Sequence, residues 1–444
     1  MWLFGRLVEK YRPHDVYTCY RTTLFMGLWL GIVPYYVNNS SGRSQLTASY
    51  FGYVNILIRM VMYMGNFVYS TIDRNSLMSN FFLTDVSNVI DGLQKINGML
   101  GIFVILLISL LKRRKLVEVM EIYDVLEREA FPRVGLALHQ LPAAKKMNRL
   151  LIFLVGTTTA YITGSFLIIS LRDAATFSIS SLISYFSPHY IVCGVCFLSG
   201  NLLIKLRIYL SAMNMVLKNL AHQWDSRSIK AVTQKQRSLQ CLDSFSMYTI
   251  VTKDPAEIIQ ESMEIHHLIC EAAATANKYF TYQLLTIISI AFLIIVFDAY
   301  YVLETLLGKS KRESKFKTVE FVTFFSCQMI LYLIAIVSIV EGSNRAIKKS
   351  EKTGGIVHSL LNKTKSAEVK EKLQQFSMQL MHLKINFTAA GLFNIDRTLY
   401  FTISGALTTY LIILLQFTSN SPNNGYGNSS SCCDTYNNMT NHTL

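Results

Sequence analysis

The chain has 444 residues, of which 51% are hydrophobic and only 16% charged, where a soluble globular domain carries about 25% charged residues. That deficit argues against a soluble enzyme, and the 26 Phe and 24 Tyr supply too much apolar surface for a disordered chain. The net charge of +14 would point to nucleic acid in a soluble protein. In a polytopic membrane protein it is instead a gauge of topology, because Lys and Arg gather in cytoplasmic loops, and no nucleic-acid partner is expected.

The first apolar run, Thr22 to Val37, contains Gly27, Gly31 and Pro34 and is followed by a polar stretch. It is short for a span and reads as an in-plane or re-entrant helix within a cytoplasmic N-terminal segment, 1–46. Seven later stretches are long and apolar enough to cross roughly 30 Å of hydrocarbon: 47–71, 95–111, 150–171, 180–204, 279–304, 319–341 and 398–417. The fold class expected is therefore an all-α membrane protein with seven transmembrane helices. Placing the N-terminus in the cytoplasm puts 33 of the 42 Lys and Arg inside, so the C-terminus is expected outside. The basic loop 308–317 dissents, and counting 22–37 as an eighth span would move the N-terminus outside. The tail 418–444 lacks Lys and Arg and carries sequons at Asn428, Asn438 and Asn441, which supports an external end. By the same topology the sequons at Asn38 and Asn39 stay bare.

The connections 205–278 and 342–397 are long and helical in pattern. In the second, Leu360, Leu361, Val369, Leu373, Phe376, Leu380 and Leu383 recur at three- and four-residue steps, giving one apolar face. Such helices pack on one another or on sister subunits. The sequence divides into the N-terminal segment, a six-span block at 47–341, an anchor segment at 342–397, a last span at 398–417 and the tail.

No enzyme signature is present, and neither a cofactor nor a metal is expected. Gly308-Lys-Ser imitates the end of a P-loop, but its first glycine would fall on Leu303. Cys193-Gly-Val-Cys196 lies inside a span, where small residues serve helix packing. The run Glu261, Glu264, His266, His267, Cys270, Glu271 has spacing that suits a metal, although a packed anchor helix is the stronger reading. Cys432 and Cys433 stand adjacent in the tail.

Ionisable residues inside spans are costly, which singles out Arg59, Asp298 and Glu320. For Arg59 the plain reading is a structural partner to a backbone carbonyl or an acidic group, and for the two acids it is snorkelling to external water. The sharper reading is a ligand pocket in the outer half of the bundle, where aromatic and polar residues gather. Its best candidates are Asp298, Tyr301, His189, Gln328, Tyr185 and Phe324, since aromatic faces with a few fixed hydrogen-bonding groups suit a small molecule.

The last span reads Thr409-Tyr410-Leu-Ile-Ile-Leu-Leu-Gln416-Phe417, which resembles the C-terminal signature of the insect gustatory receptors at every position. Upstream, Gly391-Leu-Phe393-Asn-Ile-Asp396 is similar to that family's link between a cytoplasmic half-helix and the last span. The resemblance implies a ligand-gated, non-selective cation channel in the plasma membrane of chemosensory neurons. It implies four subunits around one pore, either as a homotetramer or with related receptor subunits. It further implies a cytoplasmic anchor, a pore lined by the last helix, and a small-molecule tastant bound in each outer half. Membrane lipid is the remaining partner. Residues seven apart on a helix differ by about 20°, so Thr409 shares a face with Gln416 and Tyr410 with Phe417; repeated by four subunits, Gln416 could supply a polar ring and Phe417 an apolar gate. The 27-residue tail departs from family members that stop soon after the motif. The style of the chain is closer to the branch linked to bitter compounds, warmth, light or ribonucleosides than to the sugar branch. A G-protein-coupled receptor requires the opposite orientation, and a secondary transporter wants duplicated broken helices; the sequence offers neither.

Overall fold

The structure is a computed structural model that describes residues 13–40, 43–72, 85–173, 179–226, 253–306 and 318–419. Helix α1 (Val16–Leu30) opens on a capping box, in which Asp15 accepts from Thr18 N at 2.8 Å and the Thr18 hydroxyl oxygen accepts from Asp15 N at 3.0 Å. It ends at Gly31, whose φ of 72° is the left-handed value that glycine adopts without strain. Strands β1 (Tyr35–Ser40) and β2 (Arg43–Ala48) form an antiparallel hairpin with Val37 opposite Leu46. The apolar run from Thr22 to Val37 is therefore two elements, not one helix. Tyr20 donates to Asn201 O at 3.0 Å, whereas Leu30 at the far end of α1 packs beside Gly194. The helix thus climbs along its neighbour and the hairpin brings the chain back, since Gly52 lies against Pro34 and Leu28.

Seven further helices carry the seven candidate spans: α2 (Tyr50–Ile72), α3 (Asp85–Leu111), α5 (Gln140–Asp173), α6 (Ile179–Ser226), α7 (Pro255–Leu306), α8 (Thr318–Lys363) and α10 (Thr398–Ser419). Between them lie α4 (Arg113–Val125), which runs into a π-turn at Leu126–Ala130, and α9 (Ala367–His382). At 1.5 Å per residue the 52-residue α7 is about 78 Å long, far more than the roughly 30 Å of hydrocarbon it would cross. Helices α6 and α8, at 48 and 46 residues, likewise outrun a bilayer. The three pack on one another and form the spine of the molecule. Their lower halves, with α1, α4 and α9, enclose the main core.

The sticky face of the anchor segment is covered within the chain. Leu360, Val369, Leu373 and Phe376 are all buried, Phe376 meets His266 of α7 edge-on at 5.8 Å, and Gln379 donates to Met263 O at 2.9 Å. What that segment leaves exposed is a smaller set, Met378, Met381 and Leu392. Arg59 matches its plain reading: its guanidinium donates to Trp29 O at 2.7 Å and to Asn55 at 3.2 Å, closing the last turn of α1, where a cation suits the helix dipole.

Candidate ligand cleft and gate helix

Three helices each turn one face toward a shared, partly open cleft. Helix α6 contributes His189, Val192, Cys193 and Cys196, spaced three and four apart as one helical stripe. Helix α5 supplies Leu154, Thr157 and Thr158, and α8 supplies Leu331, Tyr332, Ile334 and Ala335. The His189 ring lies between two aromatic neighbours, Tyr161 at 5.4 Å and Tyr332 at 5.5 Å. The cleft is mainly apolar, with two hydroxyls, a phenol and an imidazole at fixed positions, a composition that recognises a small ligand by shape and a few hydrogen bonds.

From this cleft a chain of rings crosses to the last helix. Tyr161 meets Phe324 at 6.2 Å, Phe324 meets Phe325 at 5.1 Å, and Phe325 meets Tyr301 at 5.3 Å. Phe324, Phe325 and Tyr301 belong to a second apolar cluster, separate from the main core, on which Leu407, Leu411, Leu414 and Leu415 of α10 rest. Of the residues singled out from sequence, His189 lines the cleft and Gln328 lies buried one turn before Tyr332. Phe324 and Tyr301 stand in the aromatic chain behind the cleft rather than in its wall. Tyr185 is on α6, with its side chain outside the described residues.

Asp298 does not snorkel. It is 0% exposed, and neither carboxylate oxygen has a hydrogen-bond partner among the described residues. The amide of Gln94 on α3 faces it without reaching hydrogen-bonding geometry, and Tyr332 is within its electrostatic reach. Glu320, at the start of α8, is half-buried.

Helix α10 is covered on one side only. Just 6% of its span is buried, against 67% for α6 and 61% for α7. The side turned from the bundle carries Phe401, Ile412, Thr409 and Gln416, and the Thr409 hydroxyl is satisfied by Gly405 O at 3.0 Å. Tyr410 sits at the edge of that side, with its ring 5.9 Å from Phe292 of α7. Phe417 lies on the same helix, with its side chain outside the described residues, as are the basic loop 308–317 and the tail from 420 onward with its cysteines and sequons.

The segment before α10 is tied down at three points. Strands β3 (Thr388–Ala389) and β4 (Phe393–Asn394) form a small hairpin whose turn places Ala390 and Gly391 at φ 52° and 75°. On α7, Asn277 exchanges two bonds with Thr388, at 3.1 and 3.3 Å, and the Thr281 hydroxyl accepts from Ala390 N at 2.6 Å and donates to Thr388 O at 3.1 Å. Asp396 caps the first turn of α10 by accepting from Thr398 N at 2.8 Å. Arg397 forks onto Glu341 of α8 at 2.8 and 3.1 Å, and this bidentate pairing holds the Glu341 carboxylate beside a second cation, Arg345, at 3.4 Å. Gly391, Phe393 and Asp396 all lie in this segment, whereas Asn277 and Thr281 carried no sequence signal beyond being polar on an apolar helix.

The metal-like run on α7 is divided. Glu261 and Glu264 turn to Arg133, at 3.5 and 3.0 Å, while His266 pairs with Cys270 at 3.5 Å beneath α9. Among the described residues no three such side chains converge.

A seven-helix membrane bundle with an aromatic cleft wired to a half-covered last helix defines a receptor-like membrane protein. The chain belongs to the seven-transmembrane chemosensory receptor family, in its insect gustatory receptor group, whose model, described as 7tm chemosensory receptor, matches residues 20–421. The putative gustatory receptor 28b of Drosophila melanogaster is 60% identical over 435 residues, covering 97% of this chain and 92% of that protein. The putative gustatory receptor 28a of the same fly is 33% identical, with 94% and 98% covered. In fold the chain is similar to the insect olfactory receptor OR5 of Machilis hrabei solved in complex with eugenol, with a TM-score of 0.62 at 13% identity, covering 91% of this chain and all of that one.

Proposed function

We propose that this gustatory receptor is a ligand-gated, non-selective cation channel in the plasma membrane of chemosensory neurons. Four copies, identical or mixed with related subunits, surround a pore lined by α10. The N-terminus is cytoplasmic, so the extended lower halves of α6, α7 and α8 with α9 form an intracellular anchor. The observation that carries the reading is the one-sided burial of α10: an apolar helix whose open face presents Thr409 and Gln416 suits a wet pore better than lipid. Gln416 offers amide donors and a carbonyl acceptor to passing ions, and Phe417 supplies the apolar constriction that closes by dewetting.

A small tastant, largely apolar with one or two hydrogen-bonding groups, enters the cleft between α5, α6 and α8. It rests against His189 and Tyr332 and presents a donor to Asp298, whose buried carboxylate has no donor from the described residues. Displacement of His189 or Tyr332 propagates through Tyr161, Phe324 and Phe325 to the leucines of α10. Whole-cell recording of Phe417→Ala without ligand, normalised to surface protein, tests the gate. A standing leak is expected, and no leak in a well-expressed variant would move the gate elsewhere. Epitope tags at Met1 and Leu444 test the topology: the first should need permeabilised cells and the second should not.

A further inference from the structure

The junction of α3 and α4 carries four consecutive basic residues, Lys112 to Lys115, directly after the span Gly92–Leu111. Nothing in the gating scheme uses them. Lys115 is paired with Glu118 at 2.6 Å. Among the described residues, no carboxylate lies within ion-pair distance of the other three.

Two of these cations are held in place by rings and carbonyls. Lys112 donates to Lys278 O at 3.0 Å and stands 4.4 Å from the centre of the Tyr282 ring. Arg113 donates to Leu110 O at 2.9 Å and its guanidinium lies 5.6 Å over Tyr53. Each ring attracts its cation by its quadrupole, and neither contact neutralises the charge. A guanidinium has five N–H donors, so most of those of Arg113 remain available, and Arg114 is exposed with no hydrogen bond or ion pair among the described residues. At the same end of the helix pair, Leu111 closing α3 and Tyr50 and Phe51 opening α2 are exposed apolar surface.

We propose that this elbow binds the headgroup phosphate of an anionic phospholipid, held by Lys112, Arg113 and Arg114, with its acyl chains along the exposed apolar residues of α2 and α3. Positive charge alone would accept any anion. The adjoining apolar surface at the end of a span is what selects an amphiphile over a soluble phosphate. The placement also gives the lipid leverage. Lys112 holds the carbonyl of Lys278, the residue after Asn277, which clamps the link to α10 from another side of α7.

The test uses the full-length purified chain in nanodiscs and reads lipid retention by native mass spectrometry, which requires no channel activity and so stands or falls apart from the channel reading. Phosphatidylcholine discs doped with phosphatidylinositol bisphosphate should leave the anionic lipid bound in preference to phosphatidylcholine. Arg113→Gln with Arg114→Gln should weaken that retention about 10- to 30-fold, at roughly tenfold or less per charge near a membrane surface. Arg113→Lys with Arg114→Lys should keep most of it, as should the equal charge loss Lys348→Gln with Lys349→Gln on α8. Should the double Gln variant fail to fold, the single Arg114→Gln, which removes no hydrogen bond or ion pair among the described residues, carries the same test with a smaller loss. Retention that ignores lipid charge, or that survives the Gln variants, overturns the proposal. Displacement of the lipid by millimolar inorganic phosphate also overturns it, since the site would then be one for a free anion.

Discussion

Two buried carboxylates of this chain live in opposite surroundings. Glu127, brought inward by the π-turn that follows α4, accepts from Lys205 Nζ at 2.6 Å, from the Tyr209 hydroxyl at 2.8 Å and from the Gln140 amide, while Gln140 also accepts from Lys205. Asp298, near the C-terminal end of α7, is more deeply buried and has no hydrogen-bond partner among the described residues. The first network is saturated, and it pins the end of α4, α5 and α6 together, near the bond from Tyr20 of α1 to Asn201 of α6. A buried charge with its partners in place fixes a packing arrangement. A buried charge without them is held there by the rest of the fold at a cost, which is the usual mark of a functional position.

That contrast predicts opposite responses to mutation, and the largest effect falls on the saturated site. Lys205→Met leaves Glu127 buried and uncompensated and should destabilise the chain by about 3–5 kcal/mol, read as a lower thermal midpoint of the detergent-purified protein by intrinsic fluorescence. Glu127→Gln combined with Lys205→Met removes the stranded charge and should recover much of the loss. If the double variant is no better than the single one, the network is not acting as a charge pair.

Asp298→Asn should do the reverse. With no hydrogen-bond partner among the described residues to strand, the substitution leaves the ligand-free midpoint nearly unchanged, since one unpartnered buried polar group replaces another of the same shape. The functional cost should appear as a rightward shift of the dose–response curve of about tenfold or more for a ligand that offers a hydrogen-bond donor. A large loss of stability with an unmoved curve would make Asp298 a second Glu127 and erase the distinction.

The sequence showed one of these carboxylates and hid the other. Asp298 stood out because it interrupts an unbroken apolar run, and the same logic found Arg59. Glu127 lies in Leu126-Glu-Arg-Glu-Ala130, a stretch that reads as solvated surface. Only the π-turn, which alters the helical phase by an extra residue, aims it inward, and that geometry has no signature in composition. Lys205 was legible only as one more cytoplasmic cation. The seven spans were readable from hydropathy because each is its own 17- to 26-residue signal, whereas the cleft is assembled from three helices far apart in the chain. His189 was found by its aromatic setting, but Thr158, Tyr332 and the two thiols of Cys193 and Cys196 face the cleft only once α5, α6 and α8 are docked. The anchor's apolar stripe was read correctly as a packing face, and what covers it was not, because α7's extension beyond the membrane is set by a helix that the hydropathy profile truncates near residue 279.

A smaller effect is expected at the link between the two regions. Thr281→Val removes one donor and one acceptor that hold Thr388 and Ala390, at a cost of about 1–2 kcal/mol. The loss should be local. Hydrogen exchange across 387–395 should quicken while the amides of α6 around Lys205 keep their protection, and ligand should open the channel less steeply. Uniform loss of protection would mean that the link and the anchor melt as one unit.

The smallest effect tests the turn of that link by backbone alone. Gly391 adopts φ 75°, and a Cβ built on it would meet nothing within 4 Å, so any penalty for substitution is conformational and not steric crowding by neighbours. Ala in that region costs about 1 kcal/mol, and Asn, which tolerates the left-handed conformation, costs less. Gly391→Ala should therefore lower the thermal midpoint by only about 1–2 °C in a chain of this size, with Gly391→Asn between it and the wild type. Ala390 already holds φ 52° beside it, so the turn has little slack, and the order Gly, Asn, Ala should reappear in the ligand concentration needed for half-maximal current. If Ala and Asn behave alike, a side chain at this position is being felt by a neighbour that the single chain does not contain, and the turn would then belong to a contact between subunits rather than to the hairpin itself.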